Sequence, residues 1–85
     1  MKKTWTDEAW DDYLTLQNNK KLLKKANSLL KDIERGGYEE LGKPEPLKGN
    51  LSGYWSRRID DCNRIVYKIE CGVIEIVQCG THYHG

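Results

Sequence analysis

The sequence has no apolar run long enough to cross a membrane. Its longest apolar stretches are a few residues, against the roughly 20 that a spanning helix needs. Nor does an apolar segment follow the basic start. Met1-Lys2-Lys3 leads into Thr4-Trp5-Thr6-Asp7-Glu8, which is polar where a secretory signal needs its apolar core. The expected location is therefore the cytoplasm. Cysteine is scarce and odd in number: Cys62, Cys71 and Cys79 include no CxxC pair, so neither a disulfide framework nor a zinc site is suggested. Reduced thiols packed as small hydrophobes are the expectation. An excess of charge is lacking too, since 14 Lys+Arg against 13 Asp+Glu leave a net +1. Any affinity for a polyanion must come from a local patch. No cluster of Asp and Glu offers the carboxylates of a magnesium site, so metal-dependent nuclease chemistry is not expected and no metal or cofactor is called for. Repeats and low-complexity tracts are also absent. The 85 residues are expected to form one domain, 1–85, with a modest core.

What is present reads as globular, with 38% hydrophobic and 32% charged residues. Residues 2–5 suit a short strand. Thr6 then caps a helix whose first turn holds Asp7 and Glu8, acids that the helix dipole favours there. Ala9, Trp10, Tyr13, Leu14 and Gln17 share one face, so this helix runs to about Gln17. Asn18-Asn19 breaks the chain and recaps it. A second helix follows from Lys20 to about Arg35, with Leu22, Leu23, Ala26, Leu29, Leu30 and Ile33 on its apolar face. Its other face carries Lys20, Lys21, Lys24, Lys25 and Lys31, either ordinary solvated surface or an RNA contact. Gly36-Gly37 ends it. Residues 38–53 are rich in Gly, Pro, Asn and Ser and read as a loop.

Strands follow at Tyr54 to Ile59, Arg64 to Glu70 and Val73 to Cys79, joined by turns at Asp60-Asp61-Cys62-Asn63 and Cys71-Gly72. If Cys71-Gly72 are the turn residues, Lys68 faces Glu75, Ile69 faces Ile74 and Tyr67 faces Ile76. Ile65, Tyr67, Ile69, Ile74 and Ile76 then form one apolar face, which Trp55 and Ile59 join. Arg64, Val66 and Lys68 lie opposite, and Arg58 would stand directly across from Arg64. Two opposed arginines repel, a local conflict expected where an anion must be held. Trp5, Trp10, Tyr13 and Tyr67 are also assigned to the core. Plain alternation puts His82 on the core face, so Gly80 must break or bulge the strand for His82 to reach Arg64.

The side chains able to do chemistry are Glu45, Arg58, Arg64, His82 and Tyr83, with Lys48 and Tyr54 in support. Metal-free cleavage of RNA needs a base for the 2′-hydroxyl, cations for the charge growing on the phosphoryl oxygens, an acid for the leaving 5′-oxygen, and a platform that fixes the bases. Glu45 sits between Pro44 and Pro46, on stiff backbone that suits a placed base. His82 titrates in the range an acid needs. The guanidinium forks of Arg58 and Arg64 match phosphate. Tyr54 and Tyr83 can stack on bases. Each also has an ordinary reading, as an exposed loop glutamate, a tail histidine near His84, a solvated sheet face or rim tyrosines.

Several longer segments bring these residues together. They are Trp10-Asp11-Asp12-Tyr13, Gly42-Lys43-Pro44-Glu45-Pro46-Leu47, Leu51-Ser52-Gly53-Tyr54-Trp55-Ser56-Arg57-Arg58-Ile59, Arg64-Ile65-Val66-Tyr67 and His82-Tyr83. In this order, over nearly the whole chain, they resemble the YoeB/Txe family of mRNA-cleaving toxins, within the RelE-like superfamily. The resemblance implies an α+β fold in the order βααβββ, two N-terminal helices packed on one antiparallel sheet. It also implies that Glu45 is the general base, His82 the general acid, Arg64 the transition-state cation and Tyr83 a substrate-positioning residue, with Lys48 and Arg58 on phosphate. Members of the family act on mRNA in the ribosomal A site. They are inhibited by a cognate antitoxin of the YefM/Axe kind, and reach operator DNA through the antitoxin complex. Several form homodimers, so a second copy of the chain is a candidate partner. This chain departs from many relatives at Gly80-Thr81, where they carry a basic residue, and in running on to His84-Gly85. A different reading, a non-catalytic toxin of the same fold that binds a protein such as gyrase, gives no use to Glu45, Arg64, His82 and Tyr83 together.

Overall fold

The computed structural model describes residues 1–36 and 40–81. Strand β1 (Lys2–Trp5) leads through Thr6 into α1 (Asp7–Leu16), and α2 (Lys20–Glu34) follows. Thr6 does two jobs at this junction. Its N–H donates to the Ile76 carbonyl at 3.1 Å, which closes the strand pairing, and its hydroxyl accepts from Ala9 N at 3.1 Å, which starts the helix. Asn19 caps α2 in the same way, its Oδ1 accepting from Leu22 N at 3.1 Å. Four further strands are β2 (Glu45–Pro46), β3 (Trp55–Arg58), β4 (Arg64–Glu70) and β5 (Val73–Gly80). The sheet order is β1-β5-β4-β3-β2.

The sheet is mixed rather than wholly antiparallel. β1 runs parallel to β5, with Lys2 against Val73 and Trp5 against Ile76, because the two helices form the crossover that a parallel pair requires. The stretch expected to be a loop contains the extra strand β2, in which Glu45 pairs with Ser56 and Pro46 with Trp55. Pro46 is tolerated because β2 lies at the sheet edge. A 3-10 turn at Gly49–Leu51 returns the chain to β3.

The core lies between the helices and the sheet. Leu29, Ile33, Ile65, Ile74 and Ile76 are all less than 2% exposed. The aromatic expectations are corrected in part. Tyr67 is buried, and Trp5 and Tyr13 are partly buried against the core, but Trp10 is 45% and Trp55 41% exposed. Ile69 and Leu14 are exposed as well, while Leu16, outside the expected face of α1, is buried. The cause on α1 is mutual packing of the aromatics: Trp5, Trp10 and Tyr13 contact one another with ring centroids 5.0–5.6 Å apart, so Trp10 stacks on its neighbours instead of entering the core. Of the cysteines only Cys79 packs as a small hydrophobe; Cys62 and Cys71 sit exposed in turns.

A buried ion pair, unexpected from the sequence, secures the segment that leads to Glu45. Arg57 Nη1 donates to Asp32 Oδ2 at 2.5 Å and to the Leu41 carbonyl at 3.1 Å, and Arg57 Nε donates to the Tyr67 hydroxyl at 3.0 Å. Leu41 N returns a hydrogen bond to Asp32 Oδ2 at 3.3 Å. Burial works against the Arg57 charge, but these bonds to Asp32 and Tyr67 outweigh it and leave the guanidinium pKa raised. Next along the chain, Gly42 adopts φ +75°, and a Cβ there would lie 2.7 Å from the Arg58 carbonyl oxygen and 2.8 Å from Leu29. Only glycine fits this approach, in which Arg58 N donates to Gly42 O at 2.7 Å.

Candidate active site

The register of β4 and β5 decides which side chains share a face. Cys71 (φ 52°) and Gly72 (φ 76°) make the two-residue turn, and Lys68 faces Glu75, Ile69 faces Ile74 and Tyr67 faces Ile76, all as the sequence predicts. The next pair is Val66 with Gln78, not Val77. Val77 is an extra residue, a bulge that inverts the alternation beyond it. Cys79 then joins the core opposite Ile65, and Gly80 stands opposite Arg64 on the other face. The sequence placed this change of phase at Gly80; it occurs upstream, at Val77.

The face away from the helices therefore carries two adjacent rows. One runs Glu45, Ser56, Val66, Gln78, and the other Arg58, Arg64, Gly80. Ser56 ties them together: Arg64 Nη1 donates to Ser56 Oγ at 3.1 Å, and Ser56 is fully buried. Glu45 is exposed and Arg64 half-buried. Two strand spacings of about 4.8 Å and an offset of two residues along the strands separate their backbones, a gap that two long side chains and a phosphodiester can span. Arg58 is drawn aside by Asp61 in the β3–β4 turn, Nη2 to Oδ1 at 2.5 Å. That turn is held by Asp60, whose Oδ1 accepts from Cys62 N at 2.8 Å and Asn63 N at 2.7 Å. The Cys62 amide chiefly, with Asn63, keeps the Asp60 carboxyl below its usual range.

Lys48 is exposed just ahead of the 3-10 turn. Tyr54 lies further along the same face. Its hydroxyl donates to Glu75 Oε1 at 3.4 Å, and Lys68 Nζ sits 5.2 Å from its ring centre. The Tyr54 hydroxyl first, then Glu75 and Glu70, push the Lys68 pKa up. His82 and Tyr83 lie outside the described residues. The structure thus brings Glu45, Arg58 and Arg64 to one face of three neighbouring strands, with Lys48 and Tyr54 at its margin. Among the described residues, no group of three or more His, Cys, Asp or Glu could hold a metal ion.

Three residues of this region escaped sequence reasoning. Ser56 lay inside a noted motif, but its contact with Arg64 depends on a cross-strand diagonal. Gln78 is 2% exposed on the site face; its Nε2 donates to the Gly80 carbonyl at 2.9 Å, and its Oε1 has no hydrogen-bond partner among the described residues. A buried unpaired acceptor costs roughly 1–3 kcal/mol and marks a place to look for function. Asp12 of α1 accepts from Cys79 N at 3.1 Å through Oδ2. Its motif was visible, its target was not.

A basic groove leads away from Arg58. A cavity of about 260 Å³ is lined by Lys25, Gly42, Lys43, Arg58, Ile59 and Asp60. It shares Lys25, Ile59 and Asp60 with a cavity of about 530 Å³ that adds Lys21, Lys24 and the N-terminal end of α2. Part of the lysine face of α2 is thereby joined to the site.

The comparisons with known proteins agree with this architecture. The sequence model of a family described as the YoeB-like toxin of bacterial type II toxin–antitoxin systems matches residues 5–83. Toxin YoeB of Escherichia coli K12 is 50% identical over 84 residues, 98% of this chain and 100% of that protein. The toxin chain in a solved YoeB–YefM complex from Staphylococcus aureus is 48% identical, with a TM-score of 0.88 and 98% of each chain covered. A solved YoeB dimer from the same organism is 46% identical, with a TM-score of 0.84 and 98% of each chain covered. The chain belongs to the YoeB-like family, the toxins of bacterial type II toxin–antitoxin systems.

Proposed function

We propose that this toxin is an endoribonuclease that cuts mRNA in the ribosomal A site without a metal. Glu45 takes the proton of a ribose 2′-hydroxyl, and the 2′-oxygen attacks the adjacent phosphorus. Arg64 stabilises the charge that grows on the phosphoryl oxygens. The P–O5′ bond breaks as His82 supplies a proton to the leaving oxygen. The products are a 2′,3′-cyclic phosphate and a 5′-hydroxyl. Tyr83 orients the nucleotides, Lys48 and Arg58 hold neighbouring phosphates, and Tyr54 contacts RNA at the margin. The observation that carries this reading is the register, which sets a carboxylate-bearing edge strand beside two opposed arginines and ends β5 opposite one of them. An exposed base, cations on rigid strands and a strand end leading into His82 fit phosphoryl transfer better than they fit protein binding.

The groove from Arg58 to Lys21 would hold the backbone of ribosomal or messenger RNA. The inhibitor is an antitoxin of the YefM type, as in the staphylococcal complex, and operator DNA is reached only through that complex. A homodimer, as solved for the staphylococcal relative, is the second assembly. Acting on ribosomes and mRNA, the protein would work in the cytoplasm.

The test is incubation of the purified protein with programmed ribosomes, followed by mapping of the mRNA ends, with Glu45→Ala alongside. Cuts in the A-site codon that carry 2′,3′-cyclic or 3′-phosphate ends and vanish in the variant are expected. Intact mRNA from a protein that still arrests growth would overturn the reading and direct the search to a protein target.

A further inference from the structure

The pairing of β5 changes partner near its end. β1 accompanies β5 only to Ile76, because the chain leaves the sheet at Thr6 to begin α1. The outer edge of β5 beyond that point has no strand beside it among the described residues. A side chain takes the strand's place: Asp12, half-buried on α1, accepts from Cys79 N at 3.1 Å. It also leans over Gly80, where a Cβ would meet Asp12 Cγ at 3.3 Å and Oδ1 at 3.5 Å. On the site face Gln78 holds the same strand end. Its Nε2 donates to the Gly80 carbonyl at 2.9 Å, while its Oε1 stays buried without a partner among the described residues. An amide kept in that costly state is more than filler, since an apolar side chain of like length would avoid the cost.

The chain runs from Gly80 through Thr81 to His82. We infer that Asp12 and Gln78 are positioning residues for the general acid: they clamp the end of β5 from the open edge and from the site face, and so fix the point from which the chain delivers His82. The inference rests on the proposed acid role of His82. It assigns neither residue a contact with RNA. Small errors of placement at a proton donor slow the step that needs the proton and leave the other steps alone.

The leaving group separates this role from a merely structural one. Ribosomes are programmed with mRNA carrying the ordinary 5′-oxygen at the cleaved linkage, or a single 5′-bridging sulfur there. A thiolate leaves without a proton, so the sulfur substrate does not need the acid. Gln78→Met, Asp12→Ala, His82→Ala and Glu45→Ala are compared with the unaltered protein under saturating ribosomes. His82→Ala, Gln78→Met and Asp12→Ala should each cut the oxygen substrate at least roughly tenfold more slowly and return close to the unaltered rate on the sulfur substrate. Glu45→Ala should stay slow on both. Gln78→Met exchanges an amide for a thioether of similar length, and carries the test alone if Asp12→Ala does not fold. A Gln78→Met protein equally slow on both substrates, or as fast as the unaltered protein on the oxygen substrate, would overturn the clamp while the nuclease reading stood. An unaltered protein that cuts neither, or a His82→Ala protein that cuts the oxygen substrate normally, would overturn the reading beneath it.

Discussion

Arg58 and Arg64 stand directly opposite each other on β3 and β4, yet their side chains part. Arg58 turns to the Asp61 carboxylate, and Arg64 turns to the neutral hydroxyl of Ser56. The repulsion expected of the pair is relieved by splitting it, and the two residues are left unequal. Arg64 holds its charge against a neutral partner, beside the backbone row that begins at Glu45. Arg64→Ala should therefore lower the cleavage rate by about 10²–10³, the usual cost of losing one charge-stabilising group. Arg58→Ala should cost less, because Arg58 is partly exposed and already shared with Asp61. Single-turnover rates on programmed ribosomes decide the order. Equal losses would mean that the ion pair with Asp61 opens on substrate.

The pair of Asp32 and Arg57 makes a prediction about stability. Both side chains are nearly buried, at 5% and 4% exposed. Removing one charge strands the other, so Asp32→Ala or Arg57→Ala should lose roughly 3–5 kcal/mol in denaturant unfolding. Asp32→Leu combined with Arg57→Met should lose less than either single change. A double variant at least as unstable as both would show that the hydrogen bonds to Leu41 and Tyr67, rather than the charges, hold the segment.

Thiol chemistry should divide the cysteines. Burial, with Asp12 nearby adding to it, pushes the Cys79 thiol up to about 12, so it stays neutral and inert at pH 8. Cys62 and Cys71 are exposed. A disulfide reagent should titrate two thiols in the native protein and the third only after unfolding. The linkage has a definite sign. Above the ordinary thiol value of 9.0 the unfolded Cys79 ionises and the folded one does not, so stability falls as pH rises through that region. Cys79→Ala should remove this alkaline loss, at the cost of a smaller core side chain, when melts are compared between pH 8 and 11.

Reversing the charge of Lys21, Lys24 and Lys25 should weaken ribosome binding without touching the chemistry. These lysines are exposed on α2, so folding should change by no more than about 0.5 kcal/mol each. The logarithm of the binding constant should become less steep against the logarithm of salt concentration, by roughly 0.7–0.9 for each phosphate that is no longer neutralised. An unchanged salt slope would leave this face as ordinary solvated surface.

Much of this architecture was legible in advance, and the reasons are local. Thr6 and Asn19 announce their helices because a cap acts on residues a few positions away. The Cys71-Gly72 turn fixes its hairpin register because a two-residue turn leaves one way to pair the strands. Glu45, Arg58 and Arg64 were singled out by residue type and spacing. What the sequence hid depends on tertiary geometry. A two-residue strand such as β2 has too little periodicity to register. Trp10 and Trp55 look like core residues by composition, but Trp10 packs on Trp5 and Tyr13 at the surface and Trp55 lies exposed on β3. The ion pair of Asp32 with Arg57 joins positions far apart in the chain, and no local rule links them.

The bulge at Val77 gives the last strand one residue more than its pairing needs. Ile76 and Gln78, on either side of it, pair with the neighbouring residues Tyr67 and Val66, and Val77 has no place in that ladder. Removing it would join Ile76 directly to Gln78 and restore plain alternation, with Cys79 still opposite Ile65 and Gly80 still opposite Arg64. The loss of a residue at this point would be absorbed by straightening the strand, whereas the same loss in a strand without such slack would exchange its inner and outer faces.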